Sequence, residues 1–381
     1  MRVSRKAVGA ALTGVSVLGY TWYTKPGPYP PLSWSASARR TLDHTSLGLG
    51  PFQYSCGDMG ATTPTDRVPS DMKALSLAEL RCIKPGLDAP AENLSGLVMT
   101  CGADYSLMES RIEAVRKRFS KQGSIAPKNL TQRIPVWIHV KRNLASTPFA
   151  SYITFEERRR VEQTLVDALL AIDPSGTYHA FPESRSMMTN MSHMLHDLLR
   201  SRGLVFEAPW RVYDLSCGFG RHWPDARGVF LTSSGDAVWI NGEDHVEIVA
   251  EGDMTAASKR VMDWTDSLGR RLSFATDEKN GYMTLKPEDA GTGLKVSASV
   301  GMGRLSRHPN FSSVCNKLRI NAVPVDSETF SVSTIERFGI TNEDAIARAE
   351  SAIATVVAIE DALLANAPEG ESMIAQLLAS R

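Results

Sequence analysis

The chain has 381 residues, enough for two domains that each bury a core. Lys plus Arg and Asp plus Glu both number 42, so no net field draws the protein to nucleic acid, which is not expected as a partner. The five cysteines (Cys56, Cys82, Cys101, Cys217 and Cys315) contain no Cys-x-x-Cys pair, which leaves zinc sites and disulfide scaffolds unsupported and free thiols as the reading.

Residues 1–42 carry no Asp or Glu but six basic residues: Arg2, Arg5, Lys6, Lys25, Arg39 and Arg40. Between the first basic cluster and Lys25 runs an apolar stretch, Ala7 to Tyr23, ending in Trp22 and Tyr23. As a helix it would be ~26 Å long, enough to cross a thin bilayer, and aromatic and basic flanks suit a membrane interface. A signal peptide, a cleaved mitochondrial presequence and a retained single-pass anchor are the alternatives. The acid-free, Arg- and Ser-containing start favours mitochondria, and the retained anchor is the preferred reading. The cluster at Arg2, Arg5 and Lys6 would stay in the matrix. That orientation sets the segment in the inner membrane and the body in the intermembrane space. Gly9, Gly14 and Gly19 would let such a helix pack against neighbours, as expected for a subunit of a membrane complex.

Pro26, Pro28, Pro30 and Pro31 force an extended exit, and residues 43–66 read as an arm without periodicity. Residues 67–128 read as a small helical domain, with helices over Asp71–Leu80 and Ser106–Lys121; the second has Ile112, Val115 and Phe119 on one stripe. Residues 129–381 make a larger domain. It opens on a strand over Ile134–Val140, followed by a helix that starts at the capping box Thr154-Phe-Glu-Glu157 and runs to about Ile172. A further helix is expected over Met187–Arg202. Then come a hairpin of Val229–Leu231 and Ala237–Ile240 around Ser233-Ser-Gly-Asp236, a helix over Met254–Arg271, and strands over Tyr282–Leu285 and Leu294–Val300. A long helix, Asn342–Asn366, has Ile346, Ile353 and Val357 on one face.

The hairpin delivers Gly242-Glu-Asp-His245 at its far end. Alone, such residues are more often surface or satisfied core groups than catalysts. Their neighbours supply the context. Trp223-Pro-Asp-Ala-Arg-Gly228 precedes Val238-Trp-Ile-Asn-Gly-Glu-Asp-His245, and Asn280-Gly-Tyr-Met-Thr-Leu-Lys-Pro-Glu-Asp-Ala-Gly-Thr-Gly-Leu-Lys295 follows. Leu305-Ser-Arg-His-Pro-Asn-Phe311 and Arg337-Phe-Gly-Ile-Thr-Asn-Glu343 come next. In this order the segments resemble the phosphagen kinases, the creatine and arginine kinases, from about Val68 to the C-terminus.

The resemblance implies an α+β fold of the phosphagen kinase/glutamine synthetase type: a small helical N-terminal domain and a larger antiparallel sheet backed by helices. It places a loop that grips the guanidino substrate near Lys84–Asn93, where the match is weak. It also implies five phosphate-binding arginines, whose planar forks hold phosphate oxygens bidentately. Their counterparts in this chain are His139, Lys141, Glu247, Lys295 and Val323. The last falls in a segment, Asn321–Asp326, that is a Gly-rich mobile loop in the family. The reactive cysteine of the family becomes Lys286, whereas Glu243 matches the glutamate that orients or deprotonates the guanidino nitrogen. Gly291-Thr-Gly-Leu-Lys295 lacks the spacing of a phosphate loop.

With no arginine retained, phosphoryl transfer is not expected, because that chemistry is positioning plus charge stabilisation. The expectation is a catalytically inactive relative acting as an accessory subunit of a respiratory complex or ATP synthase. It would be anchored in the lipid bilayer through residues 7–23, with no cofactor and no metal. In the alternative, a diverged active ATP:guanidino phosphotransferase, ATP and Mg would be held by His139, Lys141 and Lys295.

Overall fold

The computed structural model describes residues 76–88, 95–182, 190–207, 214, 217–220 and 222–380. The candidate membrane segment 7–23 and the arm 43–66 lie outside the described residues. No helix among the described residues is long and apolar enough to cross a membrane.

Three helices form the small lobe: α1 (Leu77–Asp88), α2 (Ala103–Leu107) and α3 (Glu109–Phe119). The stripe of Ile112, Val115 and Phe119 is buried, as the spacing predicts. The helix expected over Asp71–Leu80 differs: α1 starts at Leu77 and runs to Asp88, so the proposed substrate-gripping segment is helical up to Asp88. A capping box fixes the start, with Ser76 N–H donating to Glu79 Oε2 at 2.7 Å and Glu79 N–H to Ser76 Oγ at 3.3 Å.

The large lobe is built on an eight-stranded antiparallel sheet whose strands are β1 (Val136–Arg142), β2 (Thr177–Ala180), β3 (Gly228–Leu231), β4 (Ala237–Ile240), β5 (Val246–Gly252), β8 (Leu294–Gly301), β9 (Ile320–Pro324) and β10 (Thr329–Thr334). Their order across the sheet is β2-β3-β4-β5-β1-β8-β10-β9. A separate two-stranded ribbon pairs β6 (Thr276–Asp277) with β7 (Gly281–Tyr282). Helices α4 (Phe155–Ile172), α6 (Met254–Gly269) and α8 (Asn342–Ala365) supply the core that backs the large sheet. α5 (His193–Ser201), α7 (Phe311–Lys317) and α9 (Ala367–Ala379) complete the described helices.

Alternation along the strands divides the chemistry from the core. Val136, Ile138 and Val140 of β1, Val246, Ile248 and Ala250 of β5, and Leu294, Val296, Ala298 and Val300 of β8 all enter the core. The intervening His139, Lys141, Glu247 and Lys295 therefore share the opposite face. Register sets Lys141 beside Glu247 and His139 beside Lys295.

The helix behind Thr154 has its capping box and ends at Ile172 as expected. The hairpin strands form as expected too, and Gly235, at φ +87°, supplies the left-handed turn residue. Elsewhere the outcome differs. α5 begins at His193 because Ser192 caps it, accepting from Leu195 N–H at 3.2 Å. The strand expected over Tyr282–Leu285 stops at Tyr282, since Leu285 N–H donates to the Asp244 carboxylate and Leu285 C=O accepts from Met99 N–H. Asn321–Asp326, expected as a loop, lies largely in the edge strand β9, with Val323 paired to Ser331. No glycine interrupts that run, so nothing prevents it from joining the sheet.

The lobes are joined at several points. Tyr105 Oη donates to Thr284 C=O at 2.8 Å, and Arg337 N–H donates to Phe119 C=O at 2.7 Å. Glu336, buried, accepts from Gln122 N–H at 2.8 Å and from Arg348 Nε at 2.6 Å and Nη2 at 2.9 Å, tying the interlobe linker to α8.

Candidate active site

The turn after β4 is fixed before any chemistry is considered. Asn241 sits at φ 54°, a conformation that Asn tolerates better than most residues. Its Nδ2 donates to Arg158 C=O at 2.9 Å and Ala226 C=O at 2.8 Å. His245, fully buried, accepts at Nδ1 from Leu144 N–H at 3.0 Å, and its Nε2–H donates to Pro148 C=O at 3.0 Å. Burial holds its pKa down at about 3, so the ring is neutral with its proton on Nε2. Asp244 Oδ1 accepts from Asn143 Nδ2 at 2.6 Å and Leu285 N–H at 2.7 Å, while Oδ2 is buried without a partner. Burial pushes this carboxyl up to about 7. Asp244 and His245 are thus scaffold groups that hold Glu243 at the mouth of the turn.

Glu243 faces two ammonium groups. Lys141 Nζ lies 2.8 Å from Glu243 Oε2 and 2.6 Å from Asp289 Oδ2, and Lys286 Nζ pairs with Glu243 Oε1. Burial alone would raise the Glu243 carboxyl, but the two lysines overcome it and hold the group at about 2. Lys141 answers in kind: burial disfavours its charge, yet Asp289 and Glu243 raise its pKa well above the usual lysine value. Asp289 is held below the usual carboxylate range, the Lys141 attraction outweighing burial. These four side chains form one alternating network of two cations and two anions, each ionised at neutral pH.

The other expected site residues sit on the same face with different partners. His139 Nδ1 is 2.7 Å from Glu247 Oε1. Lys295 is exposed on β8 and makes no ion pair among the described residues. Val323, on the edge strand β9, is half exposed. A cavity of 690 Å³ opens beside the network, walled by Phe206, Phe219 and Trp239 and reached by Glu243, Glu247 and Lys286. Among the described residues no group of three or more His, Cys, Asp and Glu side chains is disposed to hold a metal ion.

Glu243 and Lys141, expected in one site, are therefore in contact, and His139 and Lys295 lie on neighbouring strands beside them. Sequence reasoning missed Asp289 as a partner of Lys141. The Pro287-Glu-Asp289 run directly after Lys286 is the signal that could have shown it, because it places a carboxylate one short turn from Lys286. Reading Lys286 only as a lost thiol also missed that it is an ion-pair partner of Glu243.

Residues 163–363 match the model of the ATP:guanido phosphotransferase C-terminal catalytic domain. The chain belongs to the ATP:guanido phosphotransferase family. It is 25% identical over 220 residues to arginine kinase Oct f 2 of Amphioctopus fangsiao, covering 55% of this chain and 62% of that protein. It is 26% identical over 289 residues to taurocyamine kinase of Schistosoma mansoni, covering 70% of this chain and 38% of that protein. The chain thus spans less than two thirds of either relative. The crystal structure of lombricine kinase superposes with a TM-score of 0.65 at 19% identity, over 77% of this chain and 92% of that one, a likeness of fold. Within the ATP:guanido phosphotransferase fold of this chain, Glu243 lies between two lysines, Lys141 and Lys286.

Proposed function

We propose that this protein is a catalytically inactive member of the ATP:guanido phosphotransferase family that serves as an accessory subunit of a mitochondrial inner-membrane complex. The observation that carries the inactive reading is the pairing of Glu243 with both Lys141 and Lys286. A carboxylate held at about 2 between two ammonium groups is a poor base for a guanidinium and has no free oxygen to orient one. Lys141, a candidate phosphate ligand, is itself occupied by Glu243 and Asp289. At the position of another clamp, Glu247 brings negative charge toward any phosphate in the cavity. ATP and Mg are consequently not cofactors in this reading. The competing reading, a diverged active ATP:guanidino phosphotransferase, rests on Lys295, an exposed cation on the sheet face with no ion pair among the described residues.

A coupled assay with Mg-ATP and arginine, creatine, taurocyamine or lombricine distinguishes the two. The expected result is no turnover above background and no thermal stabilisation by millimolar Mg-ATP. Turnover that disappears in Glu243→Gln overturns the inactive reading.

The membrane part of the proposal rests on the acid-free, Gly-containing apolar run at residues 7–23 and its basic flank. Its partners would be protein subunits of a respiratory complex or ATP synthase, with the body in the intermembrane space. Carbonate extraction of mitochondria is expected to leave the full chain in the membrane pellet; recovery in the supernatant rules out the anchor.

A further inference from the structure

We infer that the cavity beside Glu243 is a seat for a small organic ammonium ion with an apolar body. The inference rests on the reading that this site does not turn over nucleotide, and it assigns the site a ligand of opposite charge.

The charge inventory of the cavity decides the sign. Its lining cations are Lys141, Lys286 and Arg200. All three are already committed: Lys141 to Glu243 and Asp289, Lys286 to Glu243, and Arg200 to Glu207 at 2.9 Å. Glu247 stands apart from them. It is 93% buried by the measure of its 7% exposure, lines the cavity, and spends Oε1 on His139. Its Oε2 has no hydrogen-bond partner among the described residues. A carboxylate oxygen that faces the cavity from a mostly buried side chain offers an acceptor to a donor in that cavity, and a cationic donor most of all. With Asp214, Glu207 and Glu243 in the same lining, four carboxylates face three cations there.

The remaining wall is aromatic. Phe206 lies 5.6 Å from Trp239 and 6.3 Å from Phe219, centroid to centroid. Trp239 Nε1 donates to Leu204 C=O at 2.9 Å, so the indole is anchored. Packed rings of this kind offer an apolar bed for a hydrocarbon body and attraction for a nearby cation. The cavity volume of 690 Å³ lies in the range of small-molecule sites. A phosphate in the same place would meet the like charge of Glu247, with the lysines already paired to carboxylates.

The test is a calorimetric titration of the full chain, without nucleotide, using phenethylamine, its uncharged analogue phenethyl alcohol, and inorganic phosphate. Phenethylamine, protonated at neutral pH, is expected to bind, the alcohol at least about ten-fold more weakly, and phosphate not at all. Glu247→Gln keeps the shape and a partner for His139, and is expected to lose the preference for the amine over the alcohol while its thermal midpoint stays within a few degrees. Phe219→Leu, which keeps the carboxylate but removes a ring, is expected to weaken both ligands together. Equal binding of amine and alcohol, an unchanged preference in Glu247→Gln, or binding of phosphate in place of the amine overturns the assignment. Phosphotransfer, measured separately, would defeat the inactive reading without altering this titration, so the two failures are distinguishable.

Discussion

Replacing Glu243 by alanine is expected to destabilise the fold by about 3 kcal/mol or more, because it strands charge that the fold has already removed from water. Lys286 would lose its paired carboxylate, and Lys141 would keep only Asp289. The side chains of Lys141, Lys286 and Glu243 are 14%, 17% and 18% exposed, so solvent offers limited relief. The measurement is urea denaturation of Glu243→Ala, Lys286→Met and the double variant as a cycle. The double variant is expected to be more stable than the sum of the single losses allows, by about 1–3 kcal/mol of coupling. A loss below about 1 kcal/mol for Glu243→Ala, typical of an exposed pair, would mean that the lysines do not occupy Glu243 in solution. The observation behind the inactive reading would then fall.

Asp244→Asn is expected to turn a flat dependence of stability on acid into a sloping one. His245 has an unfolded value of 6.5 and a folded value of about 3, so between these the unfolded chain holds the extra proton and stability falls as pH falls. Asp244 runs the other way. Its unfolded value is 3.8 and its folded value about 7, so the native state holds the extra proton and stability rises as pH falls through that window. Between about pH 4.5 and 6.5 the two effects oppose each other in sign and match in size. Asparagine keeps an acceptor for Asn143 and Leu285 but cannot take the proton, which leaves His245 unopposed. Relative to the parent, the variant is expected to lose about 1.4 kcal/mol per pH unit across that window. Denaturation midpoints that move in parallel for the two proteins would show that the buried pair does not titrate as one. Below pH 4.5 both proteins are expected to lose stability, because Glu243, with an unfolded value of 4.5 and a folded value of about 2, gives up its lysines on protonation.

Much of the large lobe was legible because its signals are local. Thr154 and Glu157 cap a helix by themselves, and the alternation of Val136, Ile138 and Val140 with His139 and Lys141 sorts core from site without knowledge of any partner strand. The capping box at Ser76 and Glu79 is an equally local signal, and it sets the start of α1 downstream of the helix expected from Asp71. The failures elsewhere have a different origin. Leu285 is drawn out of strand pairing by a carboxylate 41 positions away, and no periodicity encodes that. At the site, substitutions could be read singly: a cation at 286, a carboxylate at 247. What each new charge contacts depends on side-chain reach across β1, β5 and the turn at 287–289, so the closed network around Lys141 became visible only in three dimensions.

The buried carboxylate of Glu336 has a mechanical meaning. It grips the linker at Gln122 with one oxygen and the Arg348 guanidinium with both, at the point where a hinge between lobes would have to flex. Opening that hinge would expose one acid and strip it of its donors together. Tyr105 and Arg337 cross the same seam a short way off. Among the described residues, separating the lobes would therefore break several buried or part-buried hydrogen bonds at once rather than one at a time.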